Sequence, residues 1–259
     1  MGSFKREITA IIGMIFVAFA LFLLPEIFFQ ALVFIVIILT SLEISLLFIK
    51  HFSLFKIFIP LSSAGWVMFY FFLESFLNYI LPLLLIIPLF LILFKIPDSK
   101  DRIIELFSAI SIPIFIGYFG GSLAYLRTMD GTKTGLVYVI YLLTMVWVSD
   151  SAAYYIGRNF GKRKISPNIS PNKTFEGTCA LIISAIILTL LFFKFSLKSA
   201  LLGLGMGFSS FFGDLFQSYL KRTLSIKDSG KFFPGHGGFW DRTDSLFFSS
   251  YIFYLIKTL

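Results

Sequence analysis

Apolar stretches of about 20 residues follow one another almost end to end along this chain, and a stretch of that length is what a helix needs to cross a bilayer. Charges and Gly/Pro breaks divide them into nine expected helices, near residues 8–24, 27–49, 57–75, 76–95, 103–126, 134–156, 175–196, 198–220 and 241–258. Apolar residues make up 58% of the 259 and charged residues 14%. Soluble domains carry about 45–50% and about 25%, so a water-soluble enzyme domain is excluded. The expected fold is an all-α polytopic integral membrane protein. Lys5 and Arg6 precede the first stretch as in a signal peptide, but no small-residue cleavage site follows, so it reads as a retained span.

The net charge of +8 is a question of placement. Cytoplasmic loops are enriched in Lys and Arg. With nine spans and a cytoplasmic N-terminus, 17 of the 22 basic residues fall inside, and only Arg127, Lys133, Lys194, Lys198 and Lys257 fall outside. The balance therefore points to basic loops at a membrane and not to nucleic acid. Three segments follow along the chain: N-terminal helices over 1–102, middle helices with a basic loop over 103–174, and a C-terminal region with a polar loop over 175–259. The single cysteine, Cys179, leaves no intrachain disulfide.

An ionised carboxylate at mid-bilayer costs about 2.5–3.5 kcal/mol, so acids within spans are functional candidates by default. Glu43, Asp150 and Asp214 are such acids. Glu43 reads as a partner for another helix. For Asp150, near the basic run from Arg158, an ion pair and a functional role stand level. Asp214 begins a polar stripe with Ser218 and Lys221, at i, i+4 and i+7 on one helical face. After the loop 223–240, Asp241 and Asp244 open the last helix one turn apart. They could simply complement the helix dipole. With Asp214 and Asp228 in the same 31-residue window, however, they also form a set of hard oxygen donors suited to Mg2+.

The loop itself reads Lys227-Asp228-Ser229-Gly230-Lys231, then Pro234-Gly235-His236-Gly237-Gly238, with Lys221, Arg222 and Arg242 flanking it. Glycines allow backbone N–H groups to approach an anion. Cations, carboxylates and such a backbone together suggest a polyphosphate held with metal. The second loop, 157–174, carries Ser166-Pro167 and Ser170-Pro171 turns leading into Lys173-Thr174-Phe175-Glu176, an expected helix start with Lys173 and Ser170 as phosphate-binding candidates. Gly157 to Lys162 lacks one residue of a Walker A loop and has no preceding strand, so that motif is rejected.

Taken together, Ser218-x-Leu220-Lys221-Arg222, Lys227-Asp228-x-Gly230 and Pro234-Gly235-His236-Gly237-Gly238-x-x-Asp241-Arg242-x-Asp244 resemble the signature of the phosphatidate cytidylyltransferases, or CDP-diacylglycerol synthases. The resemblance extends to Gly213-Asp214 and Ser170-Pro171-x-Lys173-Thr174-x-Glu176-Gly177. It covers about the C-terminal 110 residues strongly and reaches Glu43 only weakly. It implies the reaction of CTP with phosphatidate to give CDP-diacylglycerol and pyrophosphate, at the cytoplasmic face of a bacterial inner membrane. It also implies one or two cations, Mg2+ and a second beside it, and a homodimer. Metal ligation falls on Asp214 and Asp241, with Asp228 and Asp244 as further ligands or supporting groups. Lys227, Lys221 and Arg222 are expected to neutralise pyrophosphate, Arg242 to bind substrate, and His236 to position it rather than act as a base. Two rivals remain open: a CTP-dependent polyprenol or phytol kinase, and a metal-coupled transporter, which commonly shows internal repeats that this chain lacks.

Overall fold

The structure, a computed structural model, describes residues 2–50, 53–68, 70–71, 99–233 and 237–258. The chain forms two compact units, Met1–Thr128 with Asp228–Arg242, and Met129–Lys227 with Thr243–Leu259. The described residues are predominantly helical, as those of an all-α membrane protein should be. Among the described residues five helices are long and apolar enough to cross a membrane: Glu26–Phe48, Phe107–Leu126, Thr132–Phe160, Phe175–Phe192 and Leu197–Thr223. The expected span at 76–95 lies outside the described residues, as does His236.

The first unit contains α1 (Gly2–Phe22), α2 (Glu26–Phe48), α3 (Ser53–Met68), α4 (Ser99–Ile112) and α5 (Phe119–Leu126). On α2, Phe29, Val33, Ile37, Thr40, Ile44 and neighbouring serines are buried, a stripe at helical spacing. Phe28, Ile35, Leu42 and Leu46 are exposed, as lipid-facing residues would be. The stretch expected as one helix over 103–126 is continuous but changes pitch: a π-helical turn, Pro113–Tyr118, joins α4 to α5. Pro113 has no N–H to give to the preceding turn, and the wider winding takes over there, with Phe119 N donating to Ile114 O. Gly117 in that turn lies against the Ser63 backbone of α3, where a Cβ would come within 2.7 Å of Ser63 Cα.

The second unit contains α6 (Thr132–Phe160), a hairpin of β1 (Lys164–Ser166) and β2 (Ser170–Thr174), α7 (Phe175–Phe192), α8 (Leu197–Thr223), and all but the first turn of α9 (Trp240–Thr258). Helix α7 packs against both α6 and α8. Gly203 and Gly207 make the α7/α8 approach possible. A Cβ at Gly203 would stand 2.6 Å from Ile186 Cα, and one at Gly207 2.9 Å from Ile182 Cα. The small-residue pair therefore packs helices within one subunit, a point that spacing alone left undecided. Gly203→Val is expected to lower stability by about 1–3 kcal/mol through overpacking, read as a lower thermal unfolding midpoint in detergent.

The hairpin is absent from the sequence-based reading. Ile169 N donates to Ser166 O at 3.2 Å, closing a turn around Pro167 and Asn168, and Ser166 then faces Ser170. The Ser-Pro pairs that were read as loop turns thus reverse the chain into a short ladder.

Candidate active site

In the first unit, the polar loop and the start of α9 are organised by two carboxylates. Asp241 Oδ2 accepts from Ser229 N at 2.8 Å, Ser229 Oγ at 2.9 Å and Gly238 N at 3.0 Å. Glu43, projecting from α2, accepts from Phe239 N at 2.9 Å and Trp240 N at 3.3 Å, and its Oε1 also contacts the Ser229 hydroxyl. Ser229 is buried and Glu43 half-buried. One hydroxyl, with one proton to share, therefore stands between two acids. The backbone N–H groups directed at both, together with the positive N-terminal end of α9, compensate that concentration of negative charge.

Three glycines of the loop have a steric reason. A Cβ at Gly238 would fall onto both carboxylate oxygens of Glu43, and one at Gly230 would be 2.8 Å from Glu43 Oε2. Gly237 has φ +83°, which disfavours any L side chain, and its Cβ would fall onto Asp241 Oδ2. The loop glycines thus admit carboxylates from the protein itself to the backbone. Arg242 is exposed on the first turn of α9, and Lys227 and Asp228 are exposed in the segment before Ser229.

The second unit holds the other acids. Lys173 Nζ is 2.8 Å from Asp214 Oδ2 and sits 5.5 Å from the centre of the Phe211 ring. Ser218 Oγ reaches Asp214 Oδ1 at 3.5 Å, so the expected polar stripe on α8 is present. Asp244 is within electrostatic reach of Asp214, Asp150 and Lys221, and its Oδ1 accepts from Ser245 N at 2.7 Å. Arg222 donates to Ile169 O and to Ile226 O, each at 3.1 Å, tying the hairpin turn to the segment after α8. Ser170 is half-buried on β2. Among the described residues no three His, Cys, Asp or Glu side chains form a ready ligand set for a metal.

The motif from Lys173 to Gly177 divides into one outward-acting residue and three architectural ones. Thr174 caps α7, its Oγ1 accepting from Gly177 N at 3.2 Å. Glu176 Oε2 accepts from Lys162 N at 3.0 Å and Arg163 N at 3.3 Å, holding the end of the basic run. A Cβ at Gly177 would lie 2.8 Å from Ala153 O and 3.1 Å from Gly157 Cα, so α6 and α7 touch there. Lys173 alone is turned to Asp214. Thr174→Val, which keeps the shape and removes the acceptor, is expected to cost about 1 kcal/mol, measured by thermal unfolding beside the parent protein.

Sequence reasoning missed Ser229, which it left as a variable position between Asp228 and Gly230. It marked Glu43 as an intramembrane acid but expected another helix as its partner. The partner is the polar loop together with the N-terminal turn of a helix.

Fold and site define a helical membrane protein with two sets of acidic and basic groups next to glycine-rich and hairpin loops. A sequence profile of the Cytidylyltransferase family matches residues 4–259, and the chain belongs to that family. It is 38% identical over 150 residues to the phosphatidate cytidylyltransferase of Bacillus subtilis (strain 168), covering 55% of each chain. With the phosphatidate cytidylyltransferase of Haemophilus influenzae the identity is 37% over 175 residues, 61% of this chain and 60% of the relative. With that of Staphylococcus haemolyticus it is 40% over 158 residues, 58% and 59%. The chain therefore aligns with somewhat more than half the length of the curated relatives it matches.

Proposed function

We propose that this protein transfers the cytidylyl group of CTP to phosphatidate, giving CDP-diacylglycerol and pyrophosphate in phospholipid biosynthesis. The observation that carries the reading is the family match over residues 4–259, joined by relatives named for that activity. In the reaction a phosphate oxygen of phosphatidate attacks the α-phosphorus of CTP. A P–O–P bond forms, the α–β bond breaks, and pyrophosphate leaves with its negative charge. The attacking phosphomonoester is already anionic near neutral pH, so no strong general base is required. Charge repulsion and alignment make up the barrier, and fixed cations and positioned groups lower it.

Lys173 and Ser170 are assigned to bind a substrate phosphate, and Lys221, Arg222 and Lys227 to neutralise the departing pyrophosphate. Arg222 donates to two carbonyls. Arg242 and His236 are assigned to substrate positioning, and Asp228 to support of the loop chemistry. Asp244 and the two acids within its electrostatic reach, Asp214 and Asp150, offer hard oxygen donors of the kind that a divalent cation such as Mg2+ takes. Asp214, Asp241 and Asp244 are the residues assigned to cation binding. When bound, such an ion neutralises phosphate oxygens.

The proposal includes nine spans, a cytoplasmic N-terminus, the reacting groups at the cytoplasmic face of a bacterial inner membrane, and a homodimer. The test is pyrophosphate release by the purified protein in detergent–lipid micelles with Mg2+. Release is expected only when CTP and phosphatidate are both present. Release that ignores phosphatidate, or none at all, would overturn the reading.

A further inference from the structure

The structure assigns Glu43 a positioning role: through Ser229 and the N–H groups of Phe239 and Trp240, it fixes the loop that holds Asp241. This rests on the proposed cytidylyl transfer for its catalytic meaning, but the linkage itself is a matter of geometry. Glu43 is a side chain from outside the loop and α9 to which the loop backbone donates. It accepts from two consecutive N–H groups at the start of α9, positions left without a partner inside a helix. Its other contact, the Ser229 hydroxyl, is the same group that reaches Asp241 at 2.9 Å, while Ser229 N holds Asp241 at 2.8 Å.

The absence of side chains on both Gly230 and Gly238 is what makes room for this carboxylate. A generic polar contact would not require two glycines 8 residues apart to face the same two oxygens. An acid on a membrane-spanning helix has a high insertion cost, and a set of charge-assisted bonds to backbone N–H offsets it. The chain thereby makes the position of Asp241 depend on a residue nearly 200 positions earlier.

The experiment uses the full-length protein with Glu43→Gln, Ser229→Ala and the double variant. It has two readouts. Hydrogen–deuterium exchange of the segment 229–241 tests the linkage: Glu43→Gln is expected to speed exchange at Phe239 and Trp240 while leaving α7 unchanged, and equal exchange in both proteins overturns the inference whether or not the protein is active. Steady-state kinetics test the positioning role. Glu43→Gln is expected to lower kcat about 30-fold, the equivalent of one charge-assisted hydrogen bond, and Ser229→Ala about fivefold, each with KM for CTP within about twofold. The double variant is expected to fall no further than Glu43→Gln alone, since both act through one chain of contacts. Fully multiplicative losses would show independent effects and overturn the role. Should Glu43→Gln not fold, Ser229→Ala carries the kinetic test, and an unchanged kcat there overturns it. A wild-type protein without transferase activity would reject the proposed function and leave the exchange result to decide the linkage.

Discussion

Asp241→Asn is expected to leave the protein folded and to lower cytidylyl transfer by about 10³-fold. The carboxamide keeps an oxygen in the position of Oδ2, able to accept from Ser229 N, Ser229 Oγ and Gly238 N, which hold Asp241 at 2.8 to 3.0 Å. The loop therefore retains its acceptor, and what is lost is the one negative charge that the proposed function assigns to cation binding. A matched thermal midpoint with activity reduced to the background separates charge from architecture. Near-normal turnover would remove Asp241 from the reacting groups. A large drop in the midpoint would make it a structural residue instead.

Gly238→Ala is the second large effect, and it reaches the site from the opposite direction. The added methyl would occupy the place of both Glu43 carboxylate oxygens, while Gly238 N must still approach Asp241 at 3.0 Å. Either the loop or Glu43 must move, and a displacement of about 1 Å at a reacting group costs on the order of 10²-fold in rate. The overpacking itself costs about 1–3 kcal/mol. Gly205→Ala, on α8, is the control: its Cβ would meet only Ile256 Cδ1 at 3.8 Å. The expected result is loss of transfer and a lower midpoint for Gly238→Ala, with both unchanged for Gly205→Ala. Equal behaviour of the two variants would mean that the loop tolerates a side chain, contrary to the geometry around Glu43.

Much of the architecture was legible because the solvent it answers to is uniform. A run of about 20 apolar residues has one stable solution in lipid, so α2, α6, α7 and α8 lie where hydropathy placed them, with ends shifted by a few residues. The hairpin was not legible, because its strands are only 3 and 5 residues long and its prolines signal a turn without saying what the flanks do. The π-helical turn was not legible either. Pro113 forecasts a disturbance in the helix, but a kink, a break and a wider pitch share that signal.

The site was legible in composition more than in connection. Spacing along one helix correctly joined Asp214 to Ser218, because i and i+4 meet on a helix face. No periodicity relates Glu43 to Ser229, since 186 positions separate them. The clues were present but unconnected: an acid within a span, and glycines in excess of what a turn requires. Glycine was read as freedom for an approaching phosphate, whereas at 230, 237 and 238 it first makes room for Glu43 and Asp241. Likewise Thr174 and Glu176 stand beside Lys173 in one motif, yet their oxygens are engaged by the N–H groups of Gly177, Lys162 and Arg163.

In the proposed reaction the α-phosphoryl group of CTP, carrying the nucleoside, is joined to the lipid. The most direct measurement follows two labels in one reaction, with CTP labelled at the α-phosphorus and, distinguishably, at the γ-phosphorus, incubated with phosphatidate, Mg2+ and the full-length protein. The α-label is expected to enter the lipid fraction one for one with γ-label appearing in pyrophosphate. Entry of γ-label into lipid, with CDP released, would contradict it and mark the protein as a lipid kinase.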